Sequence, residues 1–599
     1  MSPIPTQRQQ KIISDSNFPK YLTAGPGTGK TEVLINKIMY LLENAPSSDI
    51  PKFAIITYTN KATDELKNRL KERIYSAHSN IHSESINMLE ISTIHSFCYT
   101  LLKKYASEIG FSPELQIKSY TRELSAVVDS LVSCTKEPLF SRIADYRLRH
   151  IIKDTLKECY THGVIPNEEY IKHNKSDDKL WSEIEAALMC ICIKAHDELE
   201  RIKQQENSLT LNDLISMTLK LLGNTQIAKR VASEYTYLFI DEFQDTNQSQ
   251  LEIVRILINA GVKVFLIGDE KQSIYAFRGA DIECSRQAKE LIETYHSLAD
   301  FEINENFRTD QALLMKINEV FDRPFMYKGR RLSFLQAPLV KTAELQVAEA
   351  ANDNPFRVTY GEEITDIVDG LIKESLHGEK INYDDIFILC RTNYEVRQIS
   401  SKLKRNAIPC ASAMGVESSD FFDGFEDSAD NDKKHPKEPC ETQAHRGVNI
   451  LTIHKAKGLS LPIVVIPNMD RNLLSKGSLP DYIIDKSEKV FALGNVTRRL
   501  IASQKYLHLL NKKTMSRLEE ELRILYVAMT RVEHILIMTT KDNKEELKKL
   551  ARDKERISWS DWINPLDNMS QTGGNSNDSK LQRLYRNITE SWIFNGRRK

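Results

Sequence analysis

The stretch Ala24-Gly25-Pro26-Gly27-Thr28-Gly29-Lys30-Thr31 gathers three glycines, a lysine and a hydroxyl at a spacing suited to a phosphate chain. Gly25, Gly27 and Gly29 let successive backbone N–H groups turn toward one anion, and a helix starting at the end of the loop adds the positive end of its dipole. In such a loop Lys30 neutralises β- and γ-phosphate charge, and the Thr31 hydroxyl is a ligand for Mg²⁺. The strict form of the pattern opens on glycine, whereas this chain has Ala24. A glycine-rich turn before a surface lysine is the competing reading. The flanks argue against it: an apolar piece, Tyr21 to Thr23, precedes the loop, and Val33, Leu34, Met39, Leu41 and Leu42 follow at helical spacing.

A second chemical signal is YTYLFIDEFQDTN. Tyr237 to Ile240 form an apolar run of the kind buried in a parallel sheet, and Asp241 and Glu242 follow at its carboxyl end. Asp241 suits the Mg²⁺ shell, and Glu242 suits orienting or deprotonating an attacking water. A third strand-like run, VKVFLIGDEKQSIYAFRGA, ends at Gly268 and Asp269, placing Gln272 where a polar side chain could sense a γ-phosphate. Tyr275 and Phe277 alternate around a small residue, with Arg278 next. That pair fits core packing or stacking on bases, and the sequence leaves both open.

These groups need two or more α/β bodies to hold them. The chain has 599 residues, room for roughly four domains of ~150 residues. With 41% hydrophobic and 28% charged residues it can build large cores. A net charge of −1 means that any nucleic-acid footprint must be local. The nine cysteines are scattered, and Cys190 and Cys192 stand in an apolar run without a metal-ligand spacing. No disulfide framework is suggested, so a cytoplasmic setting is expected. The first twenty residues lack a signal-peptide apolar region, and no run of about 18 apolar residues appears, so no membrane partner is expected.

Eight segments in order, two of them the acid pair and the third strand-like run just described, make the chain resemble the UvrD/Rep/PcrA-type DNA helicases of superfamily 1. TQRQQ resembles the Q motif, ITYTNKATDELKNRL motif Ia and STIHSFC motif Ib. Asp241 to Asp245 resemble motif II, Gly268 to Ala280 motif III, and INENFRTD motif IV. VNILTIHKAKGLSLPIVVI resembles motif V through Thr452, His454, Lys457 and Gly458, and EEELRILYVAMTR motif VI through Glu521, Arg523, Tyr526 and Arg531. The resemblance implies two RecA-like P-loop domains, an α/β fold, that sandwich ATP and Mg²⁺ and move along single-stranded DNA or a tailed duplex in the 3′ to 5′ direction. It implies Gln9 and Phe307 at the adenine, and Lys30, Thr31, Asp241, Glu242 and Gln272 on the first wall. Arg308 and Arg531 are implied as arginine fingers from the second wall. For DNA it implies Tyr58, Asn60, Thr93, His95, Tyr275, Phe277 and His454. Three departures bear on nucleotide handling or coupling: Phe307 where motif IV usually has Tyr, Glu32 where relatives often carry Arg, and Ser460 where motif V commonly has Glu.

The expected layout follows from the motif order. Residues 1–105 and 213–300 form the first core domain, with a helical 1B-like insertion at 106–212. Residues 301–410 and 447–545 form the second core domain, and 546–599 a linker and amphipathic helix. Between them, 411–446 form a polar loop with seven acidic residues from Glu417 to Asp432. Relatives carry a whole 2B domain in that interval, so 2B is expected to be absent here. The leading expectation is a DNA-stimulated ATPase that drives a helicase or translocase. The alternative is an ATPase subunit of a repair or phage-defence complex, partnered by a separate nuclease or regulatory protein.

Overall fold

The computed structural model describes residues 4–563, apart from 46–49, 77–82, 136–138, 141–142, 162, 164, 173–178, 297–300, 335–337, 342–353, 414–446, 475–479, 481, 486–488, 495–502 and 542–556. Most of the acidic stretch and the expected C-terminal helix therefore lie outside the described residues.

Two six-stranded parallel sheets carry the chain. The first runs, in spatial order, Leu89–Thr93, Phe53–Thr57, Tyr237–Ile240, Lys263–Gly268, Lys20–Ala24 and Glu302–Ile303. Its strands read as nearly unbroken apolar runs because helices cover both faces. Leu22, Ile55, Phe239 and Phe265 pack into one core, while Tyr21, Ile56, Leu238 and Leu266 pack into the other. Every chemical loop leaves this sheet at a strand's carboxyl end, the edge where open α/β sheets collect ligands. The sheet reaches Ile303, so the first body runs three residues beyond the expected boundary at 300.

The second sheet runs Phe356–Tyr360, Val532–Thr540, Leu461–Ile466, Ile386–Cys390, Val448–Thr452 and Cys410–Ala413. Cys410–Ala413 pairs in parallel with Val448–Thr452, which extends the sheet three residues into the interval expected to be loop. Trp559 and Trp562 bring a second correction. Both are buried in the core of this second body, so the helix Trp559–Ile563 belongs to it rather than to a linker. Two indoles out of water outweigh the linker-like composition around them.

The helices Thr121–Cys134, Asp145–Thr161 and Lys179–Gln205 form the insertion, with Trp181 among its most buried side chains. Its core is shared. Phe491 and Leu493, from the antiparallel strands Tyr482–Asp485 and Val490–Leu493, pack among Ile151, Leu156 and Leu188. These strands and the 26-residue helix Gln504–Met529 come from the second body. Glu185, in the insertion, accepts from Leu493 N–H at 2.8 Å and pairs with Lys505 Nζ at 2.7 Å. Its side chain has no exposure, so removing Lys505 takes the paired cation from a buried carboxylate. Lys505→Met should lower stability by about 3 kcal/mol, read as a fall in thermal midpoint; an unchanged midpoint would show that this contact holds nothing together.

Candidate functional site

The glycine loop closes the first strand of the first sheet and starts the helix Lys30–Glu43. Gly27 and Gly29 have φ of +71° and +77°, where a side chain is strained. At Gly27 a Cβ would also stand 2.7 Å from Asn306 Nδ2 and 2.8 Å from Arg308 Cβ. That crowding arises because the second body leans on the loop. Asn306 Nδ2 donates to Pro26 C=O at 2.9 Å, and Phe307 N–H to Gly27 C=O at 2.8 Å. Thr28 is buried and donates to Gly25 C=O, while Ala24 is buried in the sheet.

Beside the loop lies a cluster of three carboxylates and two lysines. Lys30 Nζ stands 3.3 Å from Glu242 Oε1. Lys457, from the second body, stands 3.5 Å from Glu242 Oε2, 2.5 Å from Asp245 Oδ2, and donates to Gln272 C=O at 2.9 Å. Burial, reinforced by the Glu242 charge, raises the Asp241 carboxyl. Glu242 moves the other way: burial would raise it, but Lys30, Lys457 and the Gln244 amide hold it well below the carboxylate range. Burial pushes Asp245 up to about 6 against the pull of Lys457. Glu242 also sits at φ +53°, an uncommon backbone for a residue with a β-carbon, and strain of this kind concentrates at functional sites. The Asp241 carboxylate and Thr31 hydroxyl offer the hard oxygen donors that Mg²⁺ prefers. Asp245 Oδ1 is buried without a protein partner. The chemistry of this donor set therefore fits the ion.

Arg531 is buried, yet among the described residues no carboxylate forms an ion pair with it. Its guanidinium donates to Gln272 Oε1 at 3.1 Å, Val527 C=O at 3.0 Å and Thr530 Oγ1 at 3.3 Å. Arg308 donates to Thr530 C=O at 3.0 Å. Burial, and then the Arg308 charge, push Arg531 down to about 9. Two neighbouring guanidiniums held mainly by neutral oxygens make a place for an anion. Gln272 thus joins the two walls, with its side-chain amide also donating to Asp269 at 2.8 Å.

The loop around Gln272 is gripped further along. Arg523 Nε donates to Ser273 C=O at 2.8 Å, Ala276 N–H to Glu520 at 3.1 Å, and Tyr275 O–H to His454 C=O at 3.2 Å. Ile274 and Tyr275 are buried in the core of the second body.

The two rings of the aromatic pair have different surroundings. Tyr275 is 9% exposed and stacks on Tyr58, ring centroids 4.9 Å apart and 21° between planes. Phe277 is 45% exposed. Of the three aromatics expected to stack on bases, Phe277 alone presents a face to solvent here; Tyr58 and Tyr275 cover each other. His454 lies edge-on to Phe277, centroids 5.3 Å apart, and burial pushes its pKa down to about 4. His95 is likewise pushed to about 4 by burial, so both imidazoles are neutral at pH 7. Asn60 is exposed at the start of the helix Asn60–Ser76, and the Thr93 hydroxyl caps the helix Ile94–Lys104.

The family comparison agrees with this arrangement. The description UvrD/REP helicase N-terminal domain matches residues 5–293, and UvrD-like helicase C-terminal domain matches 301–426 and 433–543. The chain belongs to the UvrD-like helicase family. The ATP-dependent DNA helicase PcrA of Staphylococcus epidermidis RP62A is 26% identical over 423 residues, 69% of this chain and 51% of the relative. The protein of the same name from Staphylococcus aureus Mu50 is 25% identical over the same lengths. The chain thus spans about half the length of the curated relatives it matches.

The departures from the family pattern have local partners. Glu32 pairs with Arg69 at 2.8 Å and also with Arg73, tying its helix to the next. Ser460 donates to Glu533 at 2.5 Å. Gln9 is already engaged: its carbonyl accepts from Thr6 N–H at 3.0 Å and its amide donates to Thr28 C=O at 3.1 Å. Phe307 is 38% exposed beside the loop. Sequence reasoning named Lys457, Arg523 and Glu521 only as motif letters, and missed Asp245 and Glu520 as site groups. Nothing local marked them, because each sits among other polar or charged residues and its partner lies far away in the chain.

Two outcomes follow from this geometry. Phe277→Ala should weaken single-stranded DNA binding by about 1–3 kcal/mol, measured by fluorescence anisotropy, whereas Tyr275→Ala should chiefly lower the melting temperature. Lys457→Met leaves Asp245 buried without its cation, and should slow DNA-stimulated ATP turnover roughly 100-fold if about 3 kcal/mol of closure is lost.

Proposed function

We propose that the chain is an ATP-dependent DNA translocase or helicase that moves 3′ to 5′ on single-stranded DNA. The observation that carries this reading is the pairing of Gln272 on the first body with Arg531 on the second, beside Lys30 and the Asp241–Glu242 pair. Lys30 and the loop N–H groups bind the nucleotide phosphates. Thr31 and Asp241 would hold Mg²⁺, which would supply charge neutralisation at those phosphates. Glu242, kept ionised by Lys30 and Lys457, orients water and receives its proton. Arg308 and Arg531 stabilise the charge that develops in transfer. Because these groups come from two bodies, hydrolysis requires closure, and loss of the γ-phosphate frees Gln272 and Arg531 to separate. The same loop carries Phe277, so opening and closing alter the grip on a base.

A second reading makes the ATPase one subunit of a larger nuclease-containing assembly with weak unwinding alone. The short interval 411–446, where the resemblance leads one to expect a 2B domain, favours it, since a motor without that domain has room for a partner. The free cysteines suit a reducing cytoplasm, and no helix among the described residues is long and apolar enough to cross a membrane.

The test is ATP hydrolysis with and without single-stranded DNA, run beside unwinding of duplexes with 3′ or 5′ tails. Strong stimulation by DNA and unwinding of the 3′-tailed duplex are expected, and Lys30→Ala should abolish both. Equal hydrolysis with and without DNA would reject the motor. Unwinding only on addition of a co-purifying protein would favour the second reading.

A further inference from the structure

Three side chains outside the nucleotide site converge on one point of the second body. One donor atom from each of Asp310, His377 and His534 lies within 4.8 Å of the others. Asp310 Oδ2 stands 3.0 Å from His534 Nδ1, and the His377 and His534 rings meet edge to face, centroids 4.8 Å apart. His377 is not there by default. It occupies the tight turn between the strands Ser375–Leu376 and Glu379–Lys380, with φ +52° there and +82° at Gly378. A turn with both central residues left-handed favours Asn and Gly, yet this one presents an imidazole.

Two imidazoles and one carboxylate are a borderline donor set, suited to zinc rather than to Mg²⁺ or Ca²⁺. We propose that Asp310, His377 and His534 form a three-ligand Zn²⁺ site whose fourth position is open to water. His377 is exposed and the other two are half-buried, so water and the ion can reach the cluster. Metal–ligand bonds of about 2.0–2.2 Å place tetrahedral donors roughly 3.3–3.5 Å apart, so about an ångström of side-chain motion closes the site. Glu533 Oε2 lies 3.8 Å from His534 Nε2, placed to orient the ring once Nδ1 is bound to metal. The Ser460 hydroxyl holds the other oxygen of Glu533.

The address of the site gives it a consequence. Asp310 follows Arg308 by two residues, and His534 follows Arg531 by three. The two segments are already joined by Arg308 to Thr530 C=O, Thr309 to Val532 C=O and Asp310 N–H to Glu533 C=O. Bound Zn²⁺ adds the hairpin to that joint, restrains both arginines and slows turnover. This consequence rests on the proposed ATPase; the binding does not.

The test uses the full chain, stripped with chelator and free of nucleotide. His377→Asn removes a ligand while keeping a residue that the turn accepts. Wild type should take up one equivalent of Zn²⁺ in competition with a chromophoric chelator, and Co²⁺ should give the intense visible absorption of a tetrahedral site. His377→Asn should bind roughly tenfold or more weakly and lose that absorption. Equal binding by both proteins, or no visible Co²⁺ spectrum in wild type, would leave only an Asp–His pair with a neighbouring ring and would overturn the site. With Mg²⁺, ATP and DNA present, one equivalent of Zn²⁺ should slow wild type and spare His377→Asn; equal slowing would overturn the link to the arginines. Absence of ATPase from both proteins would count against the motor, not against the site.

Discussion

The loop from Gly268 to Ala280 is the contact on which the rest of the site depends. It belongs to the first sheet by covalent connection and to the second body by packing, because Ile274 and Tyr275 are buried in that body's core. Its backbone is held by Lys457, Arg523 and Glu520, and its Gln272 side chain by Arg531. Neutral loop atoms meet buried charged groups, and burial makes each such contact costly to leave half-made. A change in the charge at the phosphates is therefore felt along the whole loop. Phe277, the exposed aromatic at its far end, lies five residues from Gln272.

Electrostatics give this contact a direction. On one side Asp241, Glu242 and Asp245 crowd together, and Lys30 and Lys457 compensate them. On the other side burial, and then repulsion from Arg308, depress the Arg531 pKa. An anion between the walls relieves the second imbalance, and a hard cation relieves the first. Neither wall satisfies itself fully, and in the proposed reading that shared deficit is what a nucleotide with its metal would fill.

The glycine loop and the acid pair were legible in the sequence because their chemistry is local: the spacing of Gly25, Gly27, Gly29 and Lys30 carries it alone. The parallel sheets were legible for the same reason, as short apolar runs ending in polar turns. Contacts over long separations were not. Nothing near Lys457 says that it reaches Asp245, more than two hundred residues away. Tyr275 and Phe277 looked alike because residues two apart share one face of an extended segment; the tight turn Ala276–Arg278 separates them, and Tyr275 finds its core in a body assembled later in the chain. Trp559 was hidden by its neighbours, whose polar composition reads as linker. The strands at 482–493 were missed because they are short and their apolar residues find their core in a different part of the chain.

That last contact has a mechanical meaning. The insertion leaves the first sheet by two chain crossings, and it is fastened to the second body by Phe491, Leu493 and the Glu185–Lys505 pair. The molecule is therefore not a simple hinge between two lobes but a linkage closed on itself, with the insertion as its third bar. When one sheet turns against the other, the insertion must either travel with it or shear a packed apolar seam. Such a linkage has fewer free motions than an open hinge, so the bar constrains the path of any rotation between the sheets as well as its end points. A short packed seam of this kind admits a single track.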